Sequence, residues 1–191
     1  MLKATKVRIY PTQEQAEFLI AQFGAVRFAY NKALHLKSHM YRKYGVTLNP
    51  KKDIKPLLAV AKKSRKYHWL KQYDSIALQQ SVINLHQAFD NFFNPKLKAK
   101  YPQFKRRQGK QSSYHCVGVK VLDGAIKLPK MKPVKANIHR EIIGSVKSIT
   151  VSLSKTGKFY PIAPSAPSKS NEPKRVNLGG GERRTTTKWW L

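Results

Sequence analysis

The sequence predicts an α+β fold: a small β-barrel with a block of helices inserted into it, followed by a disordered C-terminal tail. Three observations carry this reading. A strand-like segment opens the chain, and apolar residues then recur with helical spacing to about Phe93; from Val117 the pattern changes to a period of two. Beyond Ile162 the chain turns rich in proline and serine and builds no element. The expected division is 1–11 with 111–163 for the barrel, 12–110 for the helical insertion, and 164–191 for a linker and tail.

Lys3 to Tyr10 reads as a strand closed by Pro11. Thr12 stands three residues before Gln15, the spacing of a capping box. Phe18, Leu19 and Ala21 continue that helix to Gly24. A second helical run carries Val26, Tyr30, Ala33, Leu34 and Tyr41 and ends at Tyr44-Gly45, so a helix-turn-helix-like pair is expected. Asn49-Pro50 opens a third, basic helix that ends near Ser64. The best-defined helix spans about 74–93, with Asp74 as N-cap and Ile76, Leu78, Val82, Ile83, Leu85, Phe89, Phe92 and Phe93 on a broad apolar face; Asn94-Pro95 stops it. Val117, Val119 and Val121 lead into the hairpin signal Asp123-Gly124, answered by Ile126 and Leu128. Ile142 to Leu153 is a β-branched run, Thr156-Gly157 a turn, and Lys158 to Ile162 the returning strand. With the N-terminal segment, these strands close a barrel.

Charge narrows the function. Lys+Arg number 38 against 9 Asp+Glu, a formal net charge of +29 spread along 191 residues. Self-repulsion of that size opposes a compact state unless a polyanion neutralises it, which points to nucleic acid. No apolar window is long enough to span a membrane, and the N-terminus lacks the apolar stretch of a signal peptide, so a cytoplasmic protein is expected. A lone cysteine, Cys116, excludes an internal disulfide and a cysteine-based zinc site within this chain.

Candidate chemistry is sparse. Glu14 and Glu17 sit in a first helical turn, where carboxylates complement the helix dipole. His35 and His39 are spaced i, i+4 but have no carboxylate or cysteine nearby in the chain to complete a metal site. Gly179-Gly180-Gly181 lacks the strand-to-helix context of a phosphate loop. No catalytic residue, metal site or cofactor is expected in this chain. What stands out is a stretch without acidic residues between Asp90 and Asp123, holding Lys100, Lys105, Arg106, Arg107 and Lys110 among Tyr101 and Phe104. Cations interleaved with stacking rings suit phosphates and bases. The polar edge of the 74–93 helix, with Ser75, Gln79, Gln80, Asn84 and His86, offers amides that pair with adenine; surface amides serve as well with no partner.

At these residues the chain resembles a known family. Arg8-Ile9-Tyr10-Pro11-Thr12, Gln15, Phe23-Gly24, Arg27 and Tyr30-Asn31 are similar to the opening of transposon-encoded OrfB/TnpB proteins. The similarity runs on through Trp69-Leu70, Ala77-Leu78-Gln79, Phe92-Phe93, Pro102-Gln103-Phe104-Lys105, Lys127-Leu128-Pro129-Lys130 and Val151 to Tyr160. The resemblance implies an RNA-guided DNA endonuclease family in which this region is a β-barrel wedge domain with an inserted recognition domain. Guide RNA and double-stranded DNA are then the expected partners. Arg8, Arg27, Ser75, Gln79, Lys100, Phe104, Lys105, Arg106, Arg107, Lys110, Lys127 and Lys130 are the expected contacts, with Gln79 facing target-adjacent duplex and guide pairing supplying most of the specificity.

The sequence departs from the family near its end. Where the family carries a catalytic aspartate in a Val-Asp-Leu-Gly pattern, this chain has Val176-Asn177-Leu178-Gly179, and the amide brings no charge for metal-dependent cleavage. The expectation is a nucleic-acid-binding part of such a protein, truncated before the nuclease domain and without cleavage of its own. The alternatives are a split nuclease completed by a separate nuclease-domain chain, or a guide-directed repressor.

Overall fold

The computed structural model describes residues 3–107, 112–139 and 146–165. Lys110, Asn177 and the expected linker and tail (164–191) lie outside the described residues, except for Pro164 and Ser165, which belong to the last strand.

The chain starts with β1 (Lys3–Lys6) and β2 (Arg8–Tyr10), which run antiparallel to β8 (Phe159–Ser165) in one register, Lys6 opposite Ile162 and Ile9 opposite Phe159. The break between them has a chemical cause. Val7 donates its N–H to the Pro161 carbonyl at 3.0 Å, but the proline has no N–H to return, so the ladder lacks a bond there.

Helix α1 (Gln13–Tyr44) begins at the expected capping box: the Thr12 hydroxyl accepts from the Gln15 N–H and the Gln15 side chain accepts from the Thr12 N–H. It ends at Gly45, whose φ of 67° only glycine adopts readily. Gly24 does not interrupt it, so the expected pair of helices is one helix of 32 residues. A mid-helix glycine costs about 1 kcal/mol relative to alanine. Burial of Leu19, Phe23 and Val26 around it returns about 1.5–3 kcal/mol each, and packing overrides propensity.

A π-helical turn (Pro50–Ile54) follows, capped reciprocally by Asn49 and Asp53, and it leads into α2 (Lys55–Ala61) and a 3₁₀ helix (Arg65–Gln72). Helix α3 (Ser75–Phe93) forms where the sequence places it. The Asp74 carboxylate accepts from the Ile76 N–H, and the Asp74 N–H donates to the buried Gln22 side chain, pinning the start of α3 to α1.

The remaining strands are β3 (Ser112–Val117), β4 (Lys120–Leu122), β5 (Ala125–Lys127), β6 (Val134–Asn137) and β7 (Ser148–Leu153). Their order is β3-β7-β8-β2-β6-β5-β4, with β1 also on β8. The two ends of this order, β3 and β4, are joined in the chain by Gly118 and Val119 alone, so the sheet must curl until its edges meet at that corner. They do not pair. The expected closed barrel is therefore an open, curled half-barrel, and the single strand expected from Val117 to Val121 is two. At Gly118 (φ 76°) the chain swings from one edge to the other, and the Val119 side chain is buried in the core. Strand β6, which the sequence pattern does not announce, bridges β2 and β5.

Helices α1 and α3 cover the sheet, and one core unites the layers: Val7, Ile9, Cys116, Ile149 and Val151 from the sheet side meet Leu19, Phe23 and Leu78 from helices. The Phe23 ring stands edge-on to Tyr114 at 5.4 Å and parallel to Phe159 at 6.4 Å. A second, wholly helical cluster of Tyr30, Leu34, Ile54, Val82, Leu85 and Phe89 lies toward the far end of α1.

Cys116 reports on this core. Its thiol is fully buried and donates to the Ile149 carbonyl. Burial, reinforced by the Asp74 charge, pushes it from 9.0 up to about 12. An unfolded chain ionises this thiol near 9.0 while the folded one keeps its proton. Its contribution to stability is thus intact below that pH and is lost as pH climbs toward 12. At pH 8 a disulfide reagent should label the folded chain on the order of a thousandfold more slowly than the chain in denaturant. Labelling at equal rates would show the core to be open.

Candidate nucleic-acid interface

Two of the expected contacts, Ser75 and Gln79, come together in a groove of about 490 Å³ between α2, the 3₁₀ helix and the first turns of α3. Ser75 and Gln79 are i, i+4 on α3 and share its outer side, with Gln79 exposed. Opposite them stand Lys55, Lys62, Lys63 and Lys71. The Lys62 ammonium donates to the Ser75 hydroxyl at 2.6 Å, and Lys130 reaches across from the sheet layer to donate to the Lys71 carbonyl. Burial first, and the Lys130 charge second, hold the Lys62 ammonium below the ordinary lysine value, against the pull of Asp74. The groove thus carries four lysines and an exposed amide, with Pro56, Leu58 and Ala59 also lining it. Sequence reasoning selects Ser75, Gln79 and Lys130 and misses Lys55, Lys62, Lys63 and Lys71. Of these Lys71 is the one within its reach, lying four residues before Ser75.

The segment 101–107 is fastened differently from a free charged loop. The Asn31 side-chain amide grips the Lys105 backbone at both groups, accepting from its N–H at 2.8 Å and donating to its carbonyl at 2.9 Å. The Lys105 ammonium then turns back over the Tyr30 ring, 4.3 Å from its centroid, and the burial there lowers it from the usual lysine value. The Lys105 backbone is thus fixed to α1, and its side chain lies along Tyr30. Phe104, Lys105, Arg106 and Arg107 are all exposed, as is Lys100. Arg27 joins Lys105 and Arg106 along a cleft of about 220 Å³ that also holds Ser112 and Ser113. The adjoining cleft takes in Gln80, Asn84, His115 and Thr150. The polar edge of α3 is therefore two faces: Gln79 looks onto the lysine groove, and Gln80, hydrogen-bonded to Asn84, looks onto the Arg27 side.

Arg8 and Lys127 join neither group. Arg8, opposite Asn137 on the sheet, stacks its guanidinium on Tyr10 at 4.8 Å, and Lys127 on β5 is exposed, directly across from Lys120. The His35 and His39 rings stack at 5.8 Å. Among the described residues no group of three or more His, Cys, Asp and Glu is placed to hold a metal, and no helix is long and apolar enough to cross a membrane.

The groove thus sets four lysines beside an exposed amide, on helices laid over a half-barrel. The helix-turn-helix domain of the IS605-type OrfB family matches residues 1–45, the segment that holds β1, β2 and α1. The virulence protein VsdF of Salmonella dublin is 69% identical over 116 residues, which is 58% of this chain and 98% of VsdF. The "Putative RNA-guided DNA endonuclease InsQ" of Escherichia coli K12 is 32% identical over 167 residues, and a protein of like description from Streptomyces pristinaespiralis is 31% identical over 164, each alignment taking in 83% of this chain. The chain belongs to the OrfB/TnpB-type transposon proteins. It spans about two fifths of the length of the two endonuclease relatives, with 39% of one and 40% of the other aligned.

Proposed function

We propose that this chain is a nucleic-acid-binding, non-cleaving part of an RNA-guided transposon system, acting in the cytoplasm on guide RNA and target-adjacent DNA. The helical layer takes the role of a recognition domain and the half-barrel that of a wedge domain. The observation that carries the reading is the groove: an exposed Gln79 lines it together with Lys55, Lys62, Lys63 and Lys71. Lysines on phosphates set position and affinity without regard to sequence, whereas a glutamine amide at a base edge discriminates. That combination suits a short motif in duplex DNA.

The test is a competition among short duplexes of varied sequence, with the purified chain carrying whatever RNA it retains. Gln79→Ala should weaken the preferred duplex by roughly ten- to a hundredfold and leave the others nearly unchanged, since one bidentate amide contact is worth about 1–3 kcal/mol. Weakening of all duplexes alike, or no change at all, would remove Gln79 as the reading residue.

A further inference from the structure

We propose that the C-terminal end of α3 is a stacking platform for the unpaired bases of a single nucleic-acid strand, distinct from the duplex-facing groove at the helix's other end. This inference rests on the nucleic-acid reading above and adds a second kind of contact to it.

Phe93 is 70% exposed, and it is neither isolated nor loose. Its ring lies nearly parallel to that of the buried Phe89 (6.2 Å, 22°) and meets Phe92 at 5.1 Å. Tyr101, itself 46% exposed, stands edge-on to both Phe89 and Phe92, at 5.5 and 5.4 Å, and its hydroxyl lies 3.1 Å from that of Ser38 on α1. The base of the cluster is fixed as well: the Lys37 ammonium sits 4.8 Å from the Phe89 ring centre and donates to the Leu48 carbonyl. Rings held in this way on their inner side present open π-faces outward at little entropic cost. A base inside a duplex has no free face to offer, so the chemistry that fits is an unstacked base of a single strand.

Charge identifies the occupant as a polyanion rather than an apolar protein surface. The segment joining Phe93 to Tyr101 carries Lys96, Lys98 and Lys100, and Phe104 (55% exposed) and Arg106 follow. The acidic group near this end, Asp90, pairs with His86 at 3.5 Å on the same stripe of α3. A strand crossing there meets the helix with its bases and turns its phosphates toward the lysines.

The spacing links the two ends. Fourteen residues separate Gln79 from Phe93, close to four full turns, so the two exposed side chains share one side of α3 about 21 Å apart. That distance is about six base steps of B-form duplex. A duplex seated at Gln79 thus meets single-strand chemistry within one helical turn of DNA, the arrangement a protein needs where a duplex opens.

The experiment uses the full chain with a labelled single-stranded oligouridylate and a blunt DNA hairpin, followed by fluorescence anisotropy at fixed salt. Phe93→Ala should weaken single-strand binding by about five- to a hundredfold, the value of one base stack, and leave the hairpin within twofold. Phe93→Trp should retain the affinity. Because the side chain is exposed, neither change threatens the fold, and equal denaturation midpoints will verify this. Unchanged single-strand affinity in Phe93→Ala overturns the platform while sparing the groove. A change confined to self-association in sizing chromatography overturns it in favour of a second copy as the occupant. Failure of the unaltered chain to bind either probe overturns the nucleic-acid reading, and the platform with it.

Discussion

Leu78→Ala should lower the stability of the chain by about 2–5 kcal/mol, read as a shift in the denaturant midpoint, and should abolish duplex binding at temperatures where the variant unfolds. Leu78 has no exposed surface and lies in the core shared by strands and helices. Its truncation leaves a cavity where α3 crosses the sheet. The neighbouring Gln79→Ala, on the exposed side, should stay within about 0.5 kcal/mol of the unaltered chain. The contrast between adjacent positions tests the packing directly. A small effect of Leu78→Ala would mean that the helices and the half-barrel do not share one core.

The second large effect is electrostatic. Lys62→Ala, Lys71→Ala and Lys130→Ala together should weaken duplex binding on the order of a hundredfold near 0.1 M salt. The dependence of log affinity on log salt should flatten by up to about 0.9 for each phosphate that the variant no longer neutralises. The same variant should stay within about 1 kcal/mol of the parent, because the hydrogen bonds of Lys62 to Ser75 and of Lys130 to Lys71 and the attraction of Lys62 to Asp74 are lost together with the repulsion. Lys62 and Lys130 repel one another in the free chain, and burial already disfavours the Lys62 ammonium. Reduced affinity with an unchanged salt slope would show that these lysines shape the groove without touching phosphate. Reduced affinity with reduced stability would mark them as structural.

Local chemistry makes much of the fold legible. The Thr12/Gln15 cap, Asp74 at the head of α3, Asn94 at its end and the turns at Gly124 and Gly157 all depend on residues adjacent in the chain, and all are present. What escapes depends on residues far apart. Gly24 reads as a breaker until Leu19, Phe23 and Val26 are seen packed against sheet and helix. Strand β6 is too short to announce itself and exists because β2 and β5 flank it. Closure of the sheet is equally illegible, since it turns on where β4 finds its partner after Gly118.

The site divides the same way. Gln79 and Ser75 are visible as an i, i+4 pair, and the basic run after Tyr101 by its composition. The lysines across the groove come from α2, the 3₁₀ helix and the turn between them, and only the tertiary fold brings them to Gln79. The clamp of Asn31 on the Lys105 backbone spans 74 positions, and it fixes the basic run to α1 in a way no local pattern announces.

The seam at Gly118 carries a practical consequence for handling the protein. An incomplete barrel leaves backbone donors and acceptors available to strands of neighbouring molecules, a common start for aggregation. Here β4 is only three residues long, and Lys120 faces Lys127 across its ladder with β5, so like charges guard that rim. Concentrated salt, the usual means of stripping adherent polynucleotide during purification, screens that guard at the same moment. Preparations cleared of nucleic acid should therefore be returned promptly to moderate ionic strength, where electrostatic repulsion again keeps neighbouring molecules apart.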